Sequence, residues 1–575
     1  MRQMVTRWGK TLDRNHPLPE YPRPQLQRDS FLNLNGVWQY AFSSHMERPP
    51  RWEGEIVVPF SPEAPLSGAG RQLKKTEFLH YYRTFTLPED FTVDRVLLHF
   101  GAVDQIAYVY VNNIMVTNHI GGYWPFSADI TDVLRPGENE LWVVVSDNAD
   151  DPALAYGKQR YKSGGIWYTA QSGIWQTVWL ESVPEVYIKN IQITPDYDKS
   201  CVRIRIDATE SGLCAVDVYG DDGTFAAGSW ARNGECVIPL PGFHPWTPKD
   251  PYLYRLRLQL ERDQVTSYFA MRKFSYVREG GHMVFALNDR PCFHNGLLDQ
   301  GYWPDGLLTP PSDEAMIFDI QTAKSCGFNM LRKHIKIEPL RWYYHCDRLG
   351  MLVWQDMVSG GQGYSAPLTS WLPLAGTVKL SDQDAAPYGR ASEDSKARFY
   401  TELKDTVEHL YNCPSIALWT IFNEGWGQFD AMEAARLARS LDPTRYIDHA
   451  SGWQDQLWPE IQSRHIYFRP IRLKNDGRAL CLTEFGGYIL AVEGHKWCDK
   501  VFGYKICRSA GALARDYRKL FERQIVPHIK KEGLTAAVYT QLTDVEQEMN
   551  GLLTYDREVL KIPAETLREI HKSIG

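Results

Sequence analysis

The chain has 575 residues, 43% of them hydrophobic and 23% charged, which is more than one hydrophobic core holds and excludes a disordered or fibrous protein; about three or four domains are expected. Its 63 Lys and Arg against 70 Asp and Glu leave a net charge of −7, so no basic field exists for a polyanion and no nucleic-acid partner is expected. No run of about 18 apolar residues occurs, which argues against a membrane span.

Residues 1–10 carry no apolar stretch of signal-peptide length. The cysteines, at 201, 214, 236, 292, 326, 346, 413, 481, 498 and 507, form no CxxC pair and no metal-ligand spacing, and several sit inside apolar runs as Cys481 does. A cytoplasmic protein with reduced thiols, no metal and no cofactor fits these features. Short runs at 36–42, 81–87, 95–100, 106–111 and 140–145, punctuated by Gly, Asn and Pro, predict an antiparallel, jelly-roll-like β-sandwich over residues 1–185. Clean period-two alternation at 201–206 and 254–260 predicts an immunoglobulin-like sandwich over 186–278, with the Pro-studded segment 243–248 as a connection.

After Gly280 strands alternate with longer helical stretches. Helices are expected at 312–326, 338–349, 393–411, 429–441 and 510–531, and strands at 292–296, 329–333, 351–356, 416–423, 445–449, 465–468, 480–484 and 536–541. Eight strands with helices in most intervals predict a C-terminal (β/α)8 TIM barrel over 279–575. The aromatic share of 13%, with 19 Trp and 31 Tyr, suits large β cores and equally suits flat platforms for sugar rings.

In such a barrel the C-terminal ends of the strands line the site. Segments 416–424 and 479–487 each run nearly unbroken through apolar residues to a glutamate, Glu424 at the fourth strand and Glu484 at the seventh. Two carboxylates delivered to one concave site are the equipment of glycoside hydrolysis, and retention of configuration requires them roughly 5 to 5.5 Å apart. Glu424 is assigned as acid/base and Glu484 as nucleophile, kept ionised by Arg332 at the end of the second strand. Asn423 is a neutral donor for the sugar 2-hydroxyl, His334 shares the side of Arg332, and Tyr467 at the end of the sixth strand offers its hydroxyl to the nucleophile. Trp354, Trp426, Trp453 and Trp458 are candidate sugar platforms, of which no more than two are expected to serve. Asp299 and Asp356 are candidate grips for hydroxyls, although Asp is common at such loops for turn reasons alone.

These segments resemble glycoside hydrolase family 2, which contains β-galactosidases, β-glucuronidases and β-mannosidases. The likeness lies in Leu34-Asn35-Gly36-Val37-Trp38, Tyr82-Arg83-Thr84-Phe85 and the run 172–180 of the first sandwich, and in 329–334, Phe422-Asn423-Glu424 and Thr483-Glu484-Phe485-Gly486 of the barrel. The resemblance implies hydrolysis of a terminal β-glycoside with retention, with Glu424 and Glu484 in the roles given and Arg332, Asn423 and Tyr467 in support. Two departures restrict the substrate. Where the family often has Trp at the end of the eighth strand, this chain has Tyr539, a candidate sugar contact. Glucuronidases of the family carry Asn-x-Lys for the sugar carboxylate, and the matching positions are Glu548, Met549 and Asn550, where an acid repels a uronate. Lys333 and Lys336 offer another route to an acidic sugar. The metal-ligand cluster of the magnesium-dependent galactosidases has no counterpart in the chain. The expected activity is therefore a retaining exo-β-glycosidase of β-galactosidase type, with a β-glucuronidase or β-galacturonidase as the alternative. A non-catalytic carbohydrate-binding protein is the alternative from another class, and its mark, loss of one carboxylate, is absent. The expected partners are a carbohydrate or glycoconjugate substrate and further copies of the chain in a homo-oligomer.

Overall fold

The computed structural model describes residues 4–574 apart from 92–93, 150, 152, 362, 366 and 376–379, so the first three residues of the N-terminal segment lie outside it. Alternation of buried and half-exposed side chains builds the first sandwich: in Ile106–Val111, Ala107, Val109 and Val111 point inward. A six-stranded sheet runs in the order Gly54–Val58, Gly36–Ser43, Phe78–Thr86, Glu138–Ser146, Ile106–Val111, Ile114–Ile120. It packs on a four-stranded sheet of Phe31–Asn33, Val178–Val183, Arg95–Phe100 and Phe126–Asp129 through Trp38, Leu79, Leu98, Val109 and Val143. The second sandwich pairs Ile188–Asp196, Cys201–Ala208 and Glu235–Pro239 against a four-stranded sheet containing Tyr254–Leu260, where Leu256, Leu258 and Leu260 are buried between exposed Arg255 and Arg257.

The C-terminal half is a nearly closed barrel of eight parallel strands: β1 (His294–Asp299), β2 (Met330–Lys333), β3 (Leu352–Asp356), β4 (Ile416–Thr420), β5 (Tyr446–Asp448), β6 (Ile461–Ile466), β7 (Ala479–Gly486) and β8 (Leu534–Thr540). Helices between them include α1 (Asp313–Ser325), α2 (Leu340–Leu349), α3 (Glu393–Leu410) and α4 (Ala431–Leu441). Ser312 accepts from the Ala315 amide as N-cap of α1, and Asp313 and Glu314 sit in its first turn, where the helix dipole favours them. The helix expected over 510–531 is divided into Ala510–Leu520 and Val526–Glu532 by a π turn at Phe521–Ile525. All ten cysteines are unpaired thiols, and no described helix is long and apolar enough to cross a membrane.

Period two sorts each barrel strand into an inner and an outer face. Met330, Leu352, Trp354, Leu418, Tyr446, Cys481 and Val538 fill the interior. Leu331, Val353, Trp419, Leu482, Ala537 and Tyr539 face the helices. The interior stack continues into Phe285 and Phe274, on the strand pair Phe274–Glu279 and His282–Leu287; Phe285 stacks on Tyr446 at 4.2 Å. That hairpin closes the N-terminal end of the barrel and leaves the C-terminal end as the mouth.

A segment of the first sandwich reaches over the mouth. Tyr156 and Gly157 donate their amides to the Ser359 carbonyl after β3, Trp167 lies 5.2 Å from Trp426 after β4, and Tyr168 donates its hydroxyl to Glu548 after β8 at 2.5 Å. Gly157 has φ +64°, and a Cβ there would come within 2.9 Å of the Ile335 carbonyl, so only glycine allows this approach.

Candidate active site

β4 and β7 deliver the two glutamates to the same place. One oxygen of Glu424, one oxygen of Glu484 and one ring nitrogen of His465 lie within 4.8 Å of one another. Glu424 stands just past β4 with φ +53°, a left-handed conformation that a non-glycine residue adopts only when its surroundings hold it there. They do: its amide donates to the Ser451 carbonyl at 3.0 Å, and its carbonyl accepts from Trp453 Nε1 at 2.9 Å.

Glu484 is held from two sides. Arg332 Nη1 donates to Oε1 at 3.1 Å, and the Tyr467 hydroxyl donates to Oε2. The guanidinium is wholly buried and fully used: it forks onto Asp356 at 3.0 and 2.9 Å, donates to the Thr483 carbonyl, and reaches Asn423 Oδ1 at 2.8 Å. The last contact fixes the Asn423 amide so that Nδ2 is the free end; neither Nδ2 nor His334 Nε2 has a hydrogen-bond partner among the described residues. His334 Nε2 lies 3.7 Å from Glu484 Oε1. Two unspent polar groups beside the carboxylate suit a sugar hydroxyl.

His465 lies between the carboxyls. Its Nδ1 sits 2.8 Å from Glu424 Oε1, while Nε2 faces the Ser451 hydroxyl at 3.2 Å and Arg332 Nη1 at 3.4 Å. Because Nε2 faces donors, the proton belongs on Nδ1, which donates to Glu424. Burial drives the His465 pKa down to about 3, so the ring is neutral. Two carboxylates and an imidazole are also donors a divalent cation accepts, but here both ring nitrogens are engaged and the Arg332 guanidinium already supplies the positive charge against Glu484.

Burial raises Glu424 to about 7, opposed by the charges of Lys158 and Arg332 and reinforced by Glu548. Glu484 is also raised, by burial first and by the neighbouring Glu424, against the pull of the Arg332 guanidinium that the sequence offered as the group keeping it ionised. Two carboxyls this close share protons, and Glu484, with a guanidinium and a phenol donating to it, is the one that retains the negative charge.

Several sequence candidates stand elsewhere. Tyr539 is buried on the outer face of β8 against Phe485 and Tyr517, so period two puts Thr540 at the mouth instead, where its hydroxyl meets Tyr467 at 2.8 Å. Trp354 fills the barrel interior and bonds His294, and Trp458 packs in the outer core. Asp299 gives both oxygens to the Gly301 amide and Lys333, and Asp356 gives both of its to Arg332. Lys333 and Lys336 offer no route to an acidic sugar: Lys333 is tied to Asp299 and Glu338, and Lys336 to Glu338 and the carbonyls of Gly301 and Leu308. Trp426 and Trp453 do flank the acid loop, Trp453 edge-on to His465 at 5.4 Å. Sequence reasoning passed over His465, although it lies two residues before Tyr467. It also passed over Lys158 and Tyr168, where the only signal was aromatic and glycine density at 156–168.

Comparisons with known proteins bear on the family and the fold. The model of "Glycosyl hydrolases family 2, sugar binding domain" matches residues 71–184, and that of "Glycosyl hydrolases family 2, TIM barrel domain" matches 310–471, a range that includes Glu424 and stops before Glu484. A β-glucuronidase of Paenibacillus borealis is 24% identical over 467 residues, 74% of this chain and 74% of that one. A β-galactosidase of Halalkalibacterium halodurans is 22% identical over 68% of this chain and 38% of its own length. Among solved structures, a β-glucuronidase of an uncultured Clostridium sp. superposes with a TM-score of 0.74 at 18% identity, covering 95% of this chain and 98% of that one. With a sugar-binding sandwich and a barrel of one family matched in order along the sequence, and the same fold over almost its whole length, the chain belongs to glycoside hydrolase family 2.

Proposed function

We propose that the protein is a retaining exo-β-glycosidase that removes a terminal β-linked uronic acid by double displacement, with Glu484 as nucleophile and Glu424 as acid/base. The observation that carries the mechanism is that one oxygen of each carboxyl lies within 4.8 Å of the other, a short approach that suits a retaining pair. In the first step a Glu484 oxygen bonds to the anomeric carbon as the bond to the leaving oxygen breaks, and the Glu424 proton passes to that oxygen. In the second, Glu424 takes a proton from water as the water oxygen displaces Glu484. Arg332 and Tyr467 hold the nucleophile in line, Asn423 Nδ2 is free to donate to the sugar as charge develops, and His334, whose Nδ1 proton goes to Gln300 Oε1, leaves Nε2 to accept from a sugar hydroxyl.

The β-glucuronidases among the relatives support a uronide over the galactoside-type substrate that the sequence alone favours. The roles are tested with an aryl β-glucuronide and an aryl β-galacturonide. Glu484→Gln is expected to abolish turnover with folding intact, and unaltered turnover would retire the assignment. Glu424→Ala is expected to lose about 10²- to 10⁴-fold and to recover in part with azide, giving a β-glycosyl azide; an α-azide product contradicts retention.

A further inference from the structure

Almost every cation at the mouth is already matched. Arg332 serves Asp356 and Glu484, Lys561 is bonded to Asp544, and Arg160 is clamped between Tyr156 and Trp167 with a bond to the Tyr156 hydroxyl. Lys158 differs. It is 5% exposed, and among the described residues its ammonium makes neither a hydrogen bond nor an ion pair, lying 5.2 Å from the centroid of the Tyr168 ring. Its stem is buried, and beyond the face of the Tyr168 ring the ammonium has no anion of its own among the described residues, which leaves its charge to a ligand anion.

Its position is defined by the segment that carries it. The Lys158 carbonyl accepts from the Tyr168 amide, Gly157 before it is pinned to Ser359, and Gln159 after it donates to Asp104. The backbone therefore holds the side chain under the docked sandwich segment. Tyr168, whose ring the ammonium faces, bonds Glu548 at the mouth, and the charge of Lys158 is felt by both Glu424 and His334. On the far end of the Tyr168 side chain, Glu548 and Asn550 supply no cation: Glu548 accepts from Tyr168 and from Asn550 Nδ2, and Asn550 Oδ1 accepts from Gln541.

We propose that Lys158, brought to the barrel mouth by the N-terminal sandwich, is the residue that recognises the carboxylate of the terminal sugar. The proposal rests on the uronide reading above and assigns it to a side chain outside the barrel. Because the sugar carboxylate is remote from the breaking bond, the contact acts chiefly through binding.

The test compares kcat/KM for p-nitrophenyl β-D-glucuronide and β-D-galacturonide with that for the neutral β-D-glucoside and β-D-galactoside, in the wild type, Lys158→Met and Lys158→Arg. The wild type is expected to prefer a uronide, Lys158→Met to lower the uronide-to-neutral ratio by about a hundredfold, mostly in KM, and Lys158→Arg to recover part of it. A wild type that prefers uronides, with a ratio unmoved in Lys158→Met, overturns the role of Lys158 and leaves the uronide reading standing. A wild type that prefers neutral glycosides overturns both. Lys158→Gln, which retains a polar end on the buried stem, decides the question in the same way should the Met variant not fold.

Discussion

At the scale of single residues, the proposed chemistry depends on one carboxyl keeping a proton at neutral pH. Glu424 is raised to about 7 by burial, so the acid form that protonates the leaving oxygen is lost as pH rises through that value, and kcat/KM for an aryl uronide is expected to fall along a basic limb centred near 7. A limb more than one unit away would contradict the assignment. The same shift has a stability consequence of defined sign. With a folded pKa above the unfolded value, the carboxyl contributes stability that is whole at low pH and disappears as pH rises through about 7. Glu424→Gln, which cannot ionise, is therefore expected to melt higher than the wild type at pH 8, by about 1 to 3 kcal/mol, with a smaller gain at pH 5. The strand-end glutamates were legible in the sequence because an apolar run has no reason to end in a charge. Lys158 and His465 were not, since what marks them is a partner, or the lack of one, across the fold.

At the scale of elements, register decides which side chain a strand presents. The barrel strands could be read as apolar runs because both of their faces are covered. The sixth was expected at 465–468, drawn by Tyr467 and Phe468, but β6 covers Ile461–Ile466 and contains Gln462, Ser463 and Arg464, whose polarity hid it. Ser463 is buried and bonded to Asp448 and Thr483, so its polarity is internal to the barrel. In β8 a shift of one position separates a sugar contact from a core aromatic. Tyr539→Phe is expected to leave kcat/KM within about threefold, and Tyr539→Ala to lose about 3 to 5 kcal/mol in urea unfolding with KM of the surviving enzyme unchanged. A raised KM in Tyr539→Ala would return Tyr539 to the site.

At the scale of the molecule, the alternation of strands and helices was enough to identify sandwiches followed by a barrel, because it persists over hundreds of residues. The crossing of 154–169 onto the mouth was not, since nothing local in those residues states where they dock. Gly157 offers a direct probe. Gly157→Val places a β-branched side chain at φ +64° and against the Ile335 carbonyl, and is expected to cost at least about tenfold in kcat/KM while far-UV circular dichroism stays as in the wild type. Unchanged kinetics would mean that the segment is dispensable.

The hairpin that plugs the barrel floor and the segment that roofs it come from opposite sides of the barrel, and their duties differ. On the reading proposed above, bond breaking belongs to strand ends, whereas the choice of sugar belongs to a strap borrowed from a neighbouring module. Exchange of that strap between related enzymes is thus a means of re-addressing the catalyst while its reaction centre stays as it is, and natural diversification has the same route open to it.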